Sequence, residues 1–191
     1  MKAIIIGGGI GSLSAALALE RVGIRRHVFE QADELREFGA GLTVWANALR
    51  ALEQLGVSQR ALSLSSKVDH FEARTSTGKT LARTSYFNLE RKLGGQGACQ
   101  AIEDAVFLAA SLAGHRQVET ALRYYEQARQ LRTAAITQDS WRLGRICQWE
   151  NPFGCWLRNR LTSWTPGAVS LRLIENRVNY ELPRLRGRGC A

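Results

Sequence analysis

The sequence has few of the residues that mark metal-binding, disulfide-rich or protein-nucleophile proteins. Its 191 residues include only four cysteines, three histidines and three prolines. Cys99, Cys147, Cys155 and Cys190 show no paired spacing such as C-x-x-C, so we expect reduced thiols. The histidines are isolated in the sequence and match neither a metal-ligand cluster nor a catalytic triad. The sequence therefore predicts no metal site and no catalytic side chain.

Long apolar runs are also missing. The apolar run at the N-terminus ends at Gly7, too soon for a signal peptide or a membrane span, so we expect a cytoplasmic protein with no membrane partner. Lysine and arginine total 26 against 17 acidic residues, for a net charge of +9. That excess favours an anion: nucleic acid, a membrane surface or a phosphate-bearing cofactor. No nucleic-acid-binding module is recognisable, so we expect no nucleic-acid partner.

The N-terminal residues follow the order strand, glycine turn, helix, strand. Ala3–Ile6 is an apolar run without polar alternation, which predicts a strand buried on both faces. A glycine-rich turn over residues 7–12 follows it. Leu13–Val22 has apolar residues at helical spacing and is stopped by Gly23. His27–Glu30 predicts a second strand that ends in an acid.

This order suits a dinucleotide. Gly7 allows the tight turn, and Gly9 lets the backbone approach a pyrophosphate that the helix N–H groups can bind. Glu30 can accept from ribose hydroxyls, and its charge favours FAD or NAD over NADP. Ser12 replaces the usual Gly or Ala at the third fingerprint position, at little cost in volume. The alternative is a strand-helix-strand turn with no ligand.

Together with the segment Phe38–Ala48, these residues resemble the N-terminal part of the FAD-dependent aromatic hydroxylases. These single-component flavoprotein monooxygenases include urate, salicylate and hydroxybenzoate hydroxylases, and the resemblance covers residues 1 to about 93. It implies FAD as cofactor, NAD(P)H as transient reductant and a small aromatic substrate. It also implies contacts of the ADP half with Gly7, Gly9, Gly11, Glu30 and Gln31, and of the ribityl chain with Thr43.

A second block, Gly94–Ala105, resembles the flavin-contacting motif of the same family. The resemblance implies that the flavin faces Gly95, Gln96, Gly97, Ala98 and Cys99. A helix start there would stabilise negative charge on a reduced flavin through its unsatisfied N–H groups and its dipole. The alternative is an ordinary glycine-rich start of the helix that we expect over residues 98–114.

The family's long middle is missing between the two blocks. The resemblance implies an Asp-Gly motif, a sheet domain beside the substrate and a Gly-Asp motif there, but Leu93 runs directly into Gly94 and neither GADG nor GDA occurs. We therefore name no substrate-binding residue and expect no turnover. The alternative to a hydroxylase is a non-catalytic remnant or a flavin-binding module from a deleted gene.

The predicted fold class is α/β, an incomplete Rossmann-like FAD-binding domain followed by a helical C-terminal part. The first part, 1–93, is a strand-helix-strand unit plus a hairpin of Phe71–Arg74 with Leu81–Arg83, and the second is 94–191. We expect the two parts to pack as one domain. Two parallel strands make a thin sheet, so we expect exposed apolar surface that an oligomer could cover.

The C-terminal part is predicted to be helical. Val118 to about Cys147 indicates one long packing helix, or two joined near Gly144, with a break at Asn151–Gly154. Trp156, Leu157, Leu161 and Trp164 then alternate with Arg158 and Arg160. Such a pattern can stack nucleobases or lie at a membrane surface, but we expect it to cover a core. The tail with Arg184, Arg186 and Arg188 is expected to be frayed.

Overall fold

The computed structural model describes residues 1–35, 42–66, 70–85, 96–165 and 180–186. The elements in chain order are β1 (Lys2–Ile6), α1 (Ile10–Arg21), β2 (Arg25–Phe29), α2 (Ala46–Leu55), α3 (Ser58–Ser63), β3 (His70–Arg74), β4 (Thr80–Ser85), α4 (Gln96–Gly114), α5 (Val118–Cys147) and α6 (Pro152–Trp164). The mixed class of helices and strands is confirmed. The Rossmann-like assignment and the division at residue 93 stay predictions.

The strands form two separate pairs. β1 and β2 are parallel and are joined through α1, with Ile4 opposite His27 and Ile6 opposite Phe29. Gly23 lies in the left-handed region, at φ +74°, which lets the chain turn back after α1. β3 and β4 form the predicted antiparallel hairpin. The sequence therefore located both pairs through local turn and strand patterns.

The elements that the structure describes cover one face of the β1–β2 sheet. Ala3 and Ile5 pack against the core, whereas Ile4 and Ile6 are 71% and 77% exposed. The prediction that β1 is buried on both faces is thus wrong, because the described helices cover a single side of the sheet. Phe29, paired with Ile6, is also exposed. The expected exposed apolar surface is present.

The core lies between α1, α2 and α4. Small side chains let these helices approach closely: a Cβ added to Gly11 would lie 3.3 Å from the Cβ of Ala101. The helix predicted over 98–114 is confirmed as α4, which begins slightly earlier. The buried apolar residues of α1, α2 and α4 in this core are Ala18, Leu19, Ala48, Ala51, Leu55, Cys99, Ile102, Ala105, Val106, Ala109 and Leu112.

A buried ionic network joins α2, α4 and α5. The Glu103 side chain is fully buried and accepts from Arg129 Nη2 at 2.9 Å, from Arg132 Nη2 at 3.2 Å and from Asn47 Nδ2 at 2.7 Å. Arg129 Nε also donates to Asp104 Oδ1 at 2.5 Å. Burial opposes the charge of Arg129, but the carboxylates of Asp104 and Glu103 more than offset it and raise its pKa. Arg129 therefore keeps its positive charge within the core.

The C-terminal part combines a confirmed helix with an unexpected contact. α5 is one continuous helix, as one of the two predicted alternatives has it. Tyr180 lies over the Arg132 guanidinium at 4.1 Å, and the Leu185 N–H donates to Gln54 Oε1 at 2.9 Å. Arg184 and Arg186 are exposed to solvent as expected, but the Leu185 contact shows that the tail is not frayed up to residue 186. Arg188 lies outside the described residues. Among the described helices, none is both long enough and apolar enough to cross a membrane.

We expect Arg129→Ala to lower the free energy of unfolding by about 3 kcal/mol, because it leaves the buried Glu103 carboxylate with fewer cationic partners. Arg123→Ala is the matched control, since Arg123 is also on α5 and pairs with a glutamate, Glu119, but is exposed to solvent. Urea denaturation followed by circular dichroism measures both variants. Equal stability of the two variants would contradict a structural role for the buried network.

Candidate functional site

The turn after β1 presents backbone donors at the start of α1. Gly7 has φ +104°, a conformation that side chains disfavour, and its N–H donates to Phe29 O at 2.7 Å. Gly9 is the N-cap of α1, and no side chain caps the helix there. The first N–H groups of a helix have no acceptor within the helix. They therefore form a site suited to an anion.

The space around Gly7 and Gly9 differs. The Ser12 Oγ would lie 3.4 Å from a Cβ at Gly7, an ordinary contact, so serine fits the third fingerprint position. A Cβ at Gly9 would meet no atom within 4 Å. Because Gly9 has an ordinary extended backbone, the protein itself does not need glycine there. The glycine leaves open space beside the helix start.

Glu30 holds this turn from the end of β2. Its Oε2 accepts from the Gly8 N–H in a short hydrogen bond, and its Oε1 accepts from the Ala32 N–H at 2.9 Å. The hydrogen bond from Ala32 and then that from Gly8 lower the pKa of the Glu30 carboxyl. The carboxylate is therefore ionised at neutral pH. Gln31 is exposed directly after it.

Gly8 is a residue that the sequence reasoning missed. A Cβ there would lie 2.8 Å from Leu35 Cδ2 and 3.0 Å from Glu30 Oε2. Any side chain at this position would thus push the acid away from the turn. The available signal was the run of three consecutive glycines, of which the dinucleotide fingerprint uses only the first and the third.

The second predicted group gathers at the start of α4. The buried Cys99 Sγ donates to Thr43 O at 3.6 Å, which places the loop over residues 42–45 against the first turn of α4. Burial raises the pKa of the Cys99 thiol, so it is protonated and packs within the core. Gly97 is exposed and Ala98 is half-buried. Gly95 and the Gln96 side chain lie outside the described residues.

The two groups meet where α1 packs on α4. Gly11 lies against Ala101, so the glycine-rich start of α1 is beside the start of α4. The structure therefore gathers Gly7, Gly9, Gly11 and Glu30 at the end of the sheet, and it gathers Thr43 and Cys99 at α4. Within the described part of the chain, no group of three or more His, Cys, Asp or Glu residues could hold a metal ion.

A cleft of about 560 Å³ lies along β1, between α1, α4 and α5. Most of its lining is apolar, and it includes Asp104 and Tyr125. The Asp104 carboxylate is bound by Arg129, and burial raises the pKa of Tyr125. These two groups are thus a paired carboxylate and a protonated phenol. An ion-paired Asp104 and a protonated Tyr125 are not activated as a base or a nucleophile.

We expect the Glu30 carboxyl to titrate below its ordinary pKa of 4.5, because both of its hydrogen bonds favour the anion. Their stabilising contribution is complete above that pH and is lost as the pH falls through the lowered value. Carbon-13 NMR of the side-chain carboxyls measures the titration, and Glu30→Gln identifies the signal by its loss. The same signal in the urea-unfolded chain is the control. A folded midpoint at or above the unfolded one would contradict the contacts with Gly8 and Ala32.

Comparison with known proteins gives matches in the N-terminal half. Residues 1–93 match the family described as FAD binding domain. FAD-dependent urate hydroxylase of Mycolicibacterium vanbaalenii is 36% identical over 95 residues, which are 49% of this chain and 24% of that protein. 3-Hydroxybenzoate 6-hydroxylase of Klebsiella oxytoca is 46% identical over 70 residues, which are 37% of this chain and 18% of that protein.

Among solved structures, the chain is similar to Klebsiella pneumoniae HpxO complexed with FAD and uric acid. The identity is 33% and the TM-score is 0.42, over 47% of this chain and 22% of that one. The chain spans about a fifth to a quarter of the length of the curated relatives it matches. The predicted resemblance of the chain to the FAD-dependent aromatic hydroxylases is confirmed by these matches.

Proposed function

We propose that this chain is an FAD-binding unit of the aromatic-hydroxylase type, which holds the ADP half of FAD at the turn over residues 7–12. One observation carries the proposal. The ionised Glu30 carboxylate and the uncapped start of α1 face the same glycine turn, through the hydrogen bond from Gly8 to Glu30. An acceptor for ribose hydroxyls and donors for a pyrophosphate are thus adjacent.

The residues of the turn fit this half of the cofactor in shape as well as in charge. A pyrophosphate can come close to the backbone at residue 9 only if no Cβ is in the way. Gly9 has no Cβ, and the space beside it is open. The start of α1 would donate its N–H groups to the phosphate oxygens. Glu30 would accept from the ribose and, being negative, would repel the extra phosphate of NADP. Gln31 would lie beside the same ribose.

We assign the flavin half to Thr43 and to the turn Gly95, Gln96, Gly97, Ala98 and Cys99. The support is the contact of Cys99 with the Thr43 carbonyl, which ties the loop to the start of α4. The N-terminus of α4 would stabilise negative charge on a reduced flavin. In this assignment the buried Cys99 thiol positions the loop, and the exposed Thr43 and Gly97 face the cofactor.

We further propose that this chain binds FAD without hydroxylating a substrate. The relatives hydroxylate urate and 3-hydroxybenzoate by their names, and bound FAD supplies the redox chemistry, with NAD(P)H as the proposed reductant. The chain matches less than a quarter of those proteins, and Leu93 is followed directly by Gly94 without the Asp-Gly and Gly-Asp motifs. Its proposed role is therefore that of a flavin-binding module.

FAD binding is tested with Gly9→Val. The Cβ of the added side chain would enter open space and meet no protein atom within 4 Å, so we expect FAD to bind at least about tenfold more weakly while the fold is unchanged. Quenching of FAD fluorescence gives the affinity, and circular dichroism gives the helix content. Gly144→Val is the matched control, because a Cβ there also meets nothing within 4 Å. Wild-type affinity in Gly9→Val would overturn the assignment of the turn.

Turnover is tested separately with the FAD-saturated wild-type chain. We expect NADH and NADPH to be oxidised at the rate of free FAD alone, whether or not phenols or purines are added. Spectrophotometry at the nicotinamide absorption band measures the rate. Substrate-dependent oxidation that is lost in Gly9→Val would overturn the absence of turnover and leave the FAD-binding proposal standing.

A further inference from the structure

Residues 137–165, which we call the tryptophan hairpin, expose a concentration of aromatic side chains. The segment comprises the last turns of α5, the connection and α6, and it holds Trp141, Trp149, Trp156 and Trp164, four of the five tryptophans. Trp156 and Trp164 are 58% and 65% exposed, and α6 has no buried residue. The prediction that these tryptophans cover a core is wrong within the described structure.

The hairpin is ordered by local hydrogen bonds. The Asn151 side chain accepts from the N–H groups of Phe153 and Gly154 at 2.9 and 3.2 Å, which caps the start of α6. Arg158 Nη1 donates to Cys147 O at 2.8 Å and so caps the end of α5. The exposed aromatic rings therefore belong to a formed helix and not to a loose tail.

The apolar side chains of α6 recur every three or four residues along the helix. The set is Phe153, Trp156, Leu157, Leu161 and Trp164. This spacing places them along one side of the helix. The Phe153 and Trp156 rings stack at 5.9 Å. An exposed apolar stripe of this kind marks an interaction site.

The charges around the stripe are mainly positive. α6 contains no aspartate or glutamate, and Arg160 lies over the Trp164 ring at 4.9 Å. At the end of α5, Arg145 lies over the Trp141 ring at 5.3 Å. The whole chain carries +9. Arginine beside tryptophan on an amphipathic helix is the composition that binds the surface of an anionic bilayer.

We propose that the tryptophan hairpin binds the surface of an anionic lipid bilayer, with α6 lying in the plane of the interface. The rings and leucines would enter the boundary between headgroups and acyl chains, and the arginines would contact lipid phosphates. This proposal departs from the sequence-based expectation of no membrane partner. The leucines favour lipid over nucleic acid, since they add apolar area but have no aromatic face on which a base could stack. The positive charge disfavours a second copy as the occupant.

Co-sedimentation of the full chain with vesicles tests the proposal. We expect binding to vesicles of phosphatidylcholine with phosphatidylglycerol, little binding to phosphatidylcholine alone, and weaker binding at raised salt. The tryptophan emission should shift to the blue when the anionic vesicles bind. Equal binding to both vesicle types, or to neither, would overturn the proposal.

The matched variants locate the surface. Trp156→Ser with Trp164→Ser should weaken partitioning at least about tenfold, because it removes two large apolar groups from the interface. Ile4→Ser with Ile6→Ser is the control, since it removes from the sheet an apolar pair that is even more exposed than the two tryptophans. Equal losses in the two double variants would overturn the assignment to the hairpin. Circular dichroism and FAD affinity, which should not change in the tryptophan variant, exclude unfolding and keep this test separate from that of the cofactor site.

Two other partners of the tryptophan hairpin, single-stranded RNA and a second copy of the chain, are distinguished by further measurements. Gel-shift titration with single-stranded RNA and sedimentation velocity without lipid are run on the same proteins. Tryptophan-dependent RNA binding without vesicle binding would identify nucleic acid as the partner and overturn the proposal. Tryptophan-dependent self-association without vesicle binding would identify a second copy and overturn it as well.

Discussion

The pairing of Glu103 with Arg129 inside the core is the constraint on which the rest of the structure depends. A fully buried carboxylate is tolerated only when cations and donors surround it, and here α5 supplies the cations while Asn47 of α2 supplies an amide. Because α2 follows the loop over residues 42–45 directly, the hydrogen bond from Asn47 to Glu103 also holds the end of that loop beside α4. The contact between Cys99 and the Thr43 carbonyl joins the same loop to α4.

At the start of α1, the Glu30 carboxylate has a structural use and a proposed ligand-binding use. Glu30 orders the turn by accepting from Gly8, and in the proposed FAD site the same carboxylate would accept from the ribose. A turn that is already ordered loses less conformational entropy when a ligand binds. Two glycines of the turn differ in their surroundings: a side chain at Gly8 would displace the Leu35 and Glu30 side chains, whereas a Cβ at Gly9 would meet no protein atom within 4 Å. In the proposed FAD site, the space beside Gly9 would take the pyrophosphate.

How much could be read from the sequence depended on how local each signal was. The order strand, turn, helix, strand and the hairpin were predicted because turn glycines and apolar spacing act over a few residues. The Glu103–Arg129 pair was not, since charged residues on two helices are indistinguishable in sequence from a solvated surface. The exposure of Ile4 and Ile6 depends on which elements cover the sheet. Apolar runs indicate that something should pack there but not what does.

The surroundings of the tryptophan hairpin could not be predicted from its sequence pattern either. A helix with apolar residues at every third or fourth position has the same pattern whether it faces a core or a membrane, so the pattern alone favoured the commoner case. The distinguishing facts are three-dimensional: local caps order α6, and the Phe153, Trp156 and Trp164 side chains stay more than half exposed although α6 lies against β4. A core-facing helix could hold its arginines away from the apolar stripe, but here Arg160 lies on the Trp164 ring itself. Charge placed directly on the apolar face suits an interface where lipid phosphates and acyl chains meet, and it would be costly in a dry core.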